Sequence, residues 1–132
     1  MYQVMVVDDE PMAASLIVNI IKRKYSDFEI MGTAYDGEEA LELMEEKGEP
    51  DVLITDIQMP VMNGLKLVEE TKKRYPEVIS VIVSGYQEFE YAKQAIAFGV
   101  CDYILKPIVP SEFSKLITRI EEKLRQKYYK ER

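Results

Sequence analysis

The stretch VMVVDDEPM, residues 4–12, carries three consecutive carboxylates, Asp8, Asp9 and Glu10, directly after an apolar run. The run Val4–Val7 is typical of a strand buried on both faces of a parallel sheet. Ionised carboxylates at the end of a buried strand are costly to desolvate, and they repel one another. The sequence therefore indicates that a positive charge, from a side chain or from a bound cation, lies close to these acids.

Polar side chains also follow the later apolar runs of the sequence. Asp56 ends the run in DVLITDIQMP, Ser84 ends VISVIVS, and Lys106 follows DYIL. Because the carboxyl ends of parallel strands meet at one edge of a sheet, where ligands bind, we expect these three residues to lie near Asp8 and Asp9.

Each of these residues also has a simpler interpretation when taken alone. Glu10 could cap a helix, Ser84 before Gly85 could belong to an ordinary turn, and Lys106 could be a lone surface charge. The combination is harder to explain in this way, because three converging carboxylates need more positive charge than one lysine supplies. Oxygen ligands of this kind suit a hard divalent cation, so we predict a Mg²⁺ site.

Five short apolar runs predict the strands that position these residues. The predicted strands are Gln3–Val7, Phe28–Ala34, Asp51–Thr55, Val78–Val83 and Asp102–Leu105.

Helical patterns alternate with these strands. They begin near Pro11, at DGEEALELMEEKG (36–48), at about 63–75, at QEFEYAKQAIAFG (87–99) and near Ser111. In the second helix, Asp36 is the predicted N-cap, Glu39 follows three residues later, and Gly48 ends the helix. The inward face of the first helix is predicted to carry Ala13, Leu16, Ile17, Ile20 and Ile21, and that of the fifth helix Phe113, Leu116, Ile117, Ile120 and Leu124. The alternation predicts a doubly wound α/β fold with a parallel sheet and helices on both faces.

Composition narrows the possible functions. The 132 residues suffice for one domain, and they include no histidine, which excludes Ser-His and Cys-His catalysis and the commonest zinc sites. No apolar run reaches a membrane-spanning length, and no secretory signal is evident. The single cysteine, Cys101, fits a reducing setting, so we expect a cytoplasmic protein without membrane contact.

The net charge of −7 argues against nucleic-acid binding by the domain as a whole. The segment 115–132 is locally basic, with seven basic and three acidic residues, and a solvated terminal helix is the simplest interpretation.

Four motifs, VDDEP, ITDIQMPVMNG, SGY and DYILKP, together resemble the receiver (CheY-like) domain of two-component response regulators. The resemblance extends from Gln3 to the last helix and implies a flavodoxin-like sheet in the order 2-1-3-4-5. The segment SGYQEFEYAKQAI is also similar to receivers that precede AraC-type DNA-binding domains.

By this resemblance, Asp56 is the residue that becomes phosphorylated. Asp9 and Asp56 would bind Mg²⁺ directly, Asp8 would act mainly through a bound water, and the backbone carbonyl of Gln58 would be a further ligand. Lys106 would pair with the phosphoryl group.

The resemblance also implies a switch. The Ser84 hydroxyl would bind the phosphoryl group, and Tyr103 would move inward as Ser84 shifts. Lys106–Pro107 would be a cis peptide. The face formed by the fourth helix, fifth strand and fifth helix would mediate phosphorylation-dependent homodimerisation, and its fourth-helix residues are Tyr91, Lys93, Gln94 and Phe98.

The absence of histidine means that the chain cannot form a phosphohistidine itself. The expected donor is a sensor histidine kinase or a small acyl phosphate. The chain would therefore be a phosphoacceptor that catalyses its own phosphorylation and dephosphorylation, and not an enzyme acting on other substrates. We expect residues 1–132 to form a single receiver domain, which is either a stand-alone receiver or the N-terminal domain of a longer regulator. The last helix runs on into KYYKER as a linker helix would, which favours the second, with DNA contacted only through a separate output domain.

Two alternatives remain open at this point. A phosphatase of the haloacid dehalogenase type also uses a strand-end aspartate, but its acids are spaced Asp-x-Asp, unlike the adjacent Asp8 and Asp9. A receiver that only docks to partners would typically lack the acid pair, Asp56 or Lys106, and all of these are present.

Overall fold

The computed structural model describes residues 1–85 and 102–130, together with Glu90 and Lys93 between them. The strands are β1 (Tyr2–Val7), β2 (Phe28–Ala34), β3 (Val52–Asp56), β4 (Ile79–Ser84) and β5 (Asp102–Leu105). The helices are α1 (Pro11–Lys24), α2 (Gly37–Lys47), α3 (Gly64–Arg74) and the C-terminal helix (Pro110–Lys130). Apart from Glu90 and Lys93, the predicted fourth helix lies outside the described residues, and this includes Tyr91, Gln94 and Phe98.

The five strands form one parallel sheet in the order β2-β1-β3-β4-β5, which confirms the predicted flavodoxin-like α/β fold. Each predicted strand is found within one residue of its predicted ends. On one face of the sheet, apolar side chains of α1 and the C-terminal helix pack together, and on the other face those of α2 and α3 do so. Within the described ranges, no helix has both the length and the apolar character needed to cross a membrane.

The C-terminal helix buries all five residues of its predicted inward face, Phe113, Leu116, Ile117, Ile120 and Leu124. The prediction for α1 was partly wrong, because Leu16 is 50% exposed and Ala14 is buried in its place. The side of α1 that faces the sheet follows an i, i+3, i+7 spacing and carries Ala14, Ile17 and Ile21. With these residues inward, Leu16 faces the solvent. The apolar stripe of this helix is wider than its contact with the sheet.

Side-chain caps fix where α2 and α3 begin. The Asp36 carboxylate accepts a hydrogen bond from the backbone N–H of Glu39 at 2.9 Å, as predicted, and Asn63 caps α3 by accepting one from Lys66 at 2.9 Å. Gly48 ends α2 at a φ of 98°, a conformation that glycine adopts readily. The cap at Asn63 matters for the site, because α3 begins beside the end of β3.

A buried hydroxyl in α3 gives a first testable prediction. Thr71 is fully buried, and its Oγ1 has no hydrogen-bond partner among the residues described. Replacing it with the isosteric valine removes an unpaired polar group, so Thr71→Val should raise the free energy of unfolding by about 1 kcal/mol. Urea denaturation measures this change. Thr118→Val is the control, because the exposed Thr118 hydroxyl donates to the Ser114 carbonyl at 3.0 Å and little gain is expected. A loss of stability in Thr71→Val would contradict the prediction.

Candidate functional site

An open cleft lies at the carboxyl ends of β1, β3 and β5. Its lining includes Asp9, Asp56, Gln58, Asn63 and Lys106. These residues come from the ends of three strands and from the loop between β3 and α3, as the parallel arrangement of the sheet requires.

Three carboxylates converge at this cleft. One oxygen each from Asp8, Asp9 and Asp56 lies within 4.8 Å of the other two. Asp8 and Asp56 are buried, with 1% and 7% exposure, whereas Asp9 is exposed. This is a buried acidic cluster that could bind a metal, and the opening at Asp9 gives an ion access from the solvent.

Lys106 supplies positive charge to the cluster. Its Nζ lies 3.5 Å from Asp8 Oδ2 and 3.5 Å from Asp56 Oδ2. Partial burial alone would lower the pKa of the Lys106 ammonium, but the charges of Asp56 and Asp8 outweigh burial and raise the pKa above its ordinary value of 10.5. One ammonium beside three carboxylates leaves an excess of negative charge, so the oxygen-rich donor set fits a divalent cation.

The two buried carboxylates are each held by a backbone N–H. Asp8 Oδ1 accepts a hydrogen bond from Glu10 at 2.9 Å, and Asp56 Oδ1 accepts one from Ile57 at 2.9 Å. The second oxygen of each, Oδ2, lies toward Lys106. Asp8 Oδ2 is buried, and the Lys106 ammonium is the charge that the described residues place beside it.

Ser84 and Tyr103 lie on the neighbouring strands β4 and β5. Ser84 is fully buried, its Oγ has no hydrogen-bond partner in the described part of the chain, and its carbonyl accepts from the Lys106 N–H at 2.7 Å. Tyr103 is half-buried and packs against the apolar group that contains Ile57 and Ile82. The Lys106–Pro107 peptide is cis.

Sequence reasoning missed Gly64, which brings α3 against the end of β3. The Gly64 N–H donates to the Ile57 carbonyl at 2.7 Å, and a Cβ at this position would lie 1.9 Å from the Asp56 carbonyl oxygen. In the sequence, Asn63 and Gly64 stand at the end of the motif ITDIQMPVMNG and at the predicted start of the third helix, and a glycine in a sequence does not reveal which backbone it approaches.

Fold and site together define a flavodoxin-like α/β domain with a buried acidic cluster and a lysine at the carboxyl edge of its sheet. The sequence profile of the response regulator receiver domain matches residues 4–120. The chain therefore belongs to the response regulator receiver domain family. This confirms the resemblance to receiver domains found in the sequence and favours a receiver over a phosphatase of the haloacid dehalogenase type.

Solved structures agree with this assignment. The receiver domain of AraT, a response regulator from Geobacillus stearothermophilus, superposes with a TM-score of 0.88 at 36% identity, covering 96% of this chain and 98% of that one. A DNA-binding response regulator of the LuxR family from Staphylococcus aureus gives a TM-score of 0.80 at 30% identity, over 91% of this chain and 98% of the other.

Curated relatives are longer than this chain. The uncharacterized transcriptional regulatory protein YesN of Bacillus subtilis is 36% identical over 133 residues, which cover 100% of this chain and 36% of that protein. The transcriptional regulatory protein HptR of Staphylococcus aureus is 36% identical over 120 residues, 91% of this chain and 46% of that protein. The chain therefore spans less than half the length of these relatives.

Proposed function

We propose that this domain is the phosphoacceptor of a two-component system and that Asp56 receives the phosphoryl group. The observation that carries the proposal is the environment of the Asp56 carboxylate, which is buried among two further acids with Oδ2 3.5 Å from Lys106 Nζ. The proposed donors are a sensor histidine kinase or a small acyl phosphate.

In the proposed reaction, an Asp56 carboxylate oxygen attacks phosphorus in line with the bond to the donor. A new O–P bond forms, the P–N or P–O bond to the donor breaks, and the departing donor takes the electron pair. Lys106 pairs with the phosphoryl oxygens, and the Ser84 hydroxyl, which is buried without a partner among the described residues, donates a hydrogen bond to one of them.

Mg²⁺ is the proposed cation, and Asp9, Asp56 and the Gln58 carbonyl would hold it, with Asp8 acting through a water. When bound, it neutralises negative charge shared between the carboxylates and the phosphoryl group. The domain would catalyse its own phosphorylation and dephosphorylation in the cytoplasm, and it would have no separate substrate to convert.

We propose that the phosphoryl group controls an output beyond the site. Added negative charge would draw Ser84 toward it, and Tyr103 would fill the space behind. The altered face of β5 and the C-terminal helix would then favour a homodimer. Both curated relatives described above carry transcriptional regulatory names, so residues 1–132 are proposed as one receiver domain that continues through a linker to a DNA-binding output domain, of the AraC type by resemblance.

Intact-protein mass spectrometry tests the phosphoacceptor proposal. After incubation with acetyl phosphate and Mg²⁺, we expect the wild-type protein to gain one phosphoryl group. The gain should be absent in Asp56→Asn, because the amide is not a nucleophile for phosphorus, and it should be abolished by a chelator. Asp36→Asn makes the same change of carboxylate to amide at a helix cap that does not line the cleft, so it is the matched control and should be labelled like the wild type. Undiminished labelling of Asp56→Asn would refute the proposal.

Sedimentation velocity tests the dimer. Beryllofluoride, a phosphoryl mimic, should shift the wild-type protein from monomer toward dimer, with an affinity change of about 1–3 kcal/mol, as is typical of allosteric coupling. Ser84→Ala should weaken this response, since it removes the hydroxyl that meets the phosphoryl group. Identical distributions with and without the mimic across a wide concentration range would exclude the dimer, and an undiminished response in Ser84→Ala would exclude the role of Ser84.

A further inference from the structure

We propose that Thr55 is a positioning residue, whose buried hydroxyl holds the peptide group that determines which oxygen of Asp56 lies toward Lys106. The inference rests on the proposed function for its role in phosphoryl transfer. Its geometric part concerns three consecutive residues, Thr55, Asp56 and Ile57, at the end of β3.

The hydroxyl of Thr55 is fully buried and donates to the main-chain carbonyl oxygen of Asp56 at 2.9 Å. This carbonyl belongs to the same peptide group as the N–H of Ile57. Because a peptide group is planar and trans, its C=O and N–H point in opposite directions and turn together. Holding the carbonyl of Asp56 therefore also fixes the direction of the Ile57 N–H.

The Ile57 N–H donates to Asp56 Oδ1 at 2.9 Å. With Oδ1 held, Oδ2 is the oxygen that lies 3.5 Å from Lys106 Nζ. The χ2 torsion of an aspartate is broad, so the carboxylate has little intrinsic preference for this orientation. The hydrogen bond from the Ile57 N–H favours this orientation, and Thr55 acts on that hydrogen bond through the peptide group.

The same peptide group is also confined by α3. Gly64 lies so close to the end of β3 that a Cβ on it would be 1.9 Å from the Asp56 carbonyl oxygen. The Gly64 N–H donates to the Ile57 carbonyl at 2.7 Å. The Asp56 carbonyl oxygen thus lies close to both the Thr55 hydroxyl and the first residue of α3. A valine at position 55 would suit a buried strand equally well, so strand propensity does not explain the hydroxyl.

Two variants without the hydroxyl, Thr55→Val and Thr55→Ala, test the inference, and Thr55→Ser restores the hydroxyl. Thr71→Val is the matched control, because it also removes the hydroxyl of a fully buried threonine, one that has no hydrogen-bond partner in the described residues. Two quantities are measured on each variant: the amide proton shift of Ile57 by NMR without phosphoryl donor, and the rate of labelling by acetyl phosphate at saturating Mg²⁺. Circular dichroism gives the folded fraction, to which the rates are normalised.

In Thr55→Val and Thr55→Ala we expect a displaced Ile57 amide resonance and a labelling rate about tenfold lower, the equivalent of losing one hydrogen bond of about 1.4 kcal/mol. Thr55→Ser should resemble the wild type in both quantities, and Thr71→Val should change neither. An unchanged Ile57 amide in Thr55→Val refutes the inference, as does a displaced amide with a wild-type rate. If the wild-type protein is not labelled at Asp56 at all, the proposed function fails, and the amide shift still decides whether Thr55 holds the peptide.

Discussion

Gly64→Ala is expected to lower the free energy of unfolding by about 3 kcal/mol, because a new methyl group meets backbone that cannot yield without moving α3. Its Cβ would lie 1.9 Å from the Asp56 carbonyl oxygen and 3.0 Å from the Ile57 Cα. Displacing α3 would also break the hydrogen bond from Gly64 to the Ile57 carbonyl, so the site should lose Mg²⁺ affinity as well. Urea denaturation gives the first quantity, and Mg²⁺ titration monitored by NMR gives the second.

Gly48→Ala is the control for this prediction. Gly48 has a φ of 98°, and apart from its two chain neighbours no described residue has an atom within 4 Å of the point that an alanine methyl group would occupy, so alanine there meets backbone strain without a steric clash. At this φ and a ψ of 168°, a region of backbone conformation almost restricted to glycine, the strain costs about 1–3 kcal/mol and leaves the distant cleft unchanged. A Gly64→Ala variant that keeps the wild-type Mg²⁺ affinity, as Gly48→Ala should, would contradict the close approach of α3 to β3.

Lys106→Met is expected to destabilise the metal-free protein by about 2 kcal/mol at neutral pH. Breaking a buried ion pair typically costs about 3–5 kcal/mol, and the value here is reduced to about 2 because the Lys106 side chain is 30% exposed. The loss arises because Asp8 and Asp56 remain buried beside one another without the ammonium. Mg²⁺ should raise the melting temperature of the variant more than that of the wild type, since the cation replaces the missing charge.

The stability difference between the wild type and Lys106→Met should depend on pH, because the pKa of Lys106 is raised in the folded state. The stabilising charge is fully present below the ordinary pKa of 10.5 and is lost as the pH rises through the higher pKa of the folded state. Thermal melts should therefore show a constant difference between wild type and Lys106→Met from pH 7 to about 10, and a shrinking one above it. Lys66→Met is the control, because the Lys66 side chain is 51% exposed and its ion pairs with Glu69 and Glu70 lie on the surface of α3, so they should contribute less than about 1 kcal/mol. Equal losses in the two variants would contradict the role of Lys106.

Much of the fold and of the acidic site could be predicted from the sequence, because the sequence signals for them are local. Apolar runs with abrupt polar ends located the strands, and the parallel topology then brought Asp8, Asp9, Asp56 and Lys106 to one edge. The caps at Asp36 and Gly48 were equally local, since each depends on the conformation of one residue and its near neighbours.

Features that depend on packing between elements were not predicted. Leu16 belongs to the apolar pattern of α1 but lies beyond the edge of the contact with the sheet, which sequence periodicity does not define. Gly64 and Thr55 resemble an ordinary helix start and an ordinary strand residue. Their importance follows from the position of α3 against the Asp56 peptide, which is a tertiary contact.

The most direct test of the central claim is to locate the phosphoryl group on the chain. Borohydride reduces an acyl phosphate to an alcohol, so a phosphorylated aspartate becomes homoserine, and peptide mass spectrometry identifies its position. After treatment with acetyl phosphate and Mg²⁺, the proposed function predicts homoserine at position 56, with Asp8 and Asp9 unchanged. Homoserine at position 8 or 9, or a labelled protein without homoserine at position 56, would contradict it.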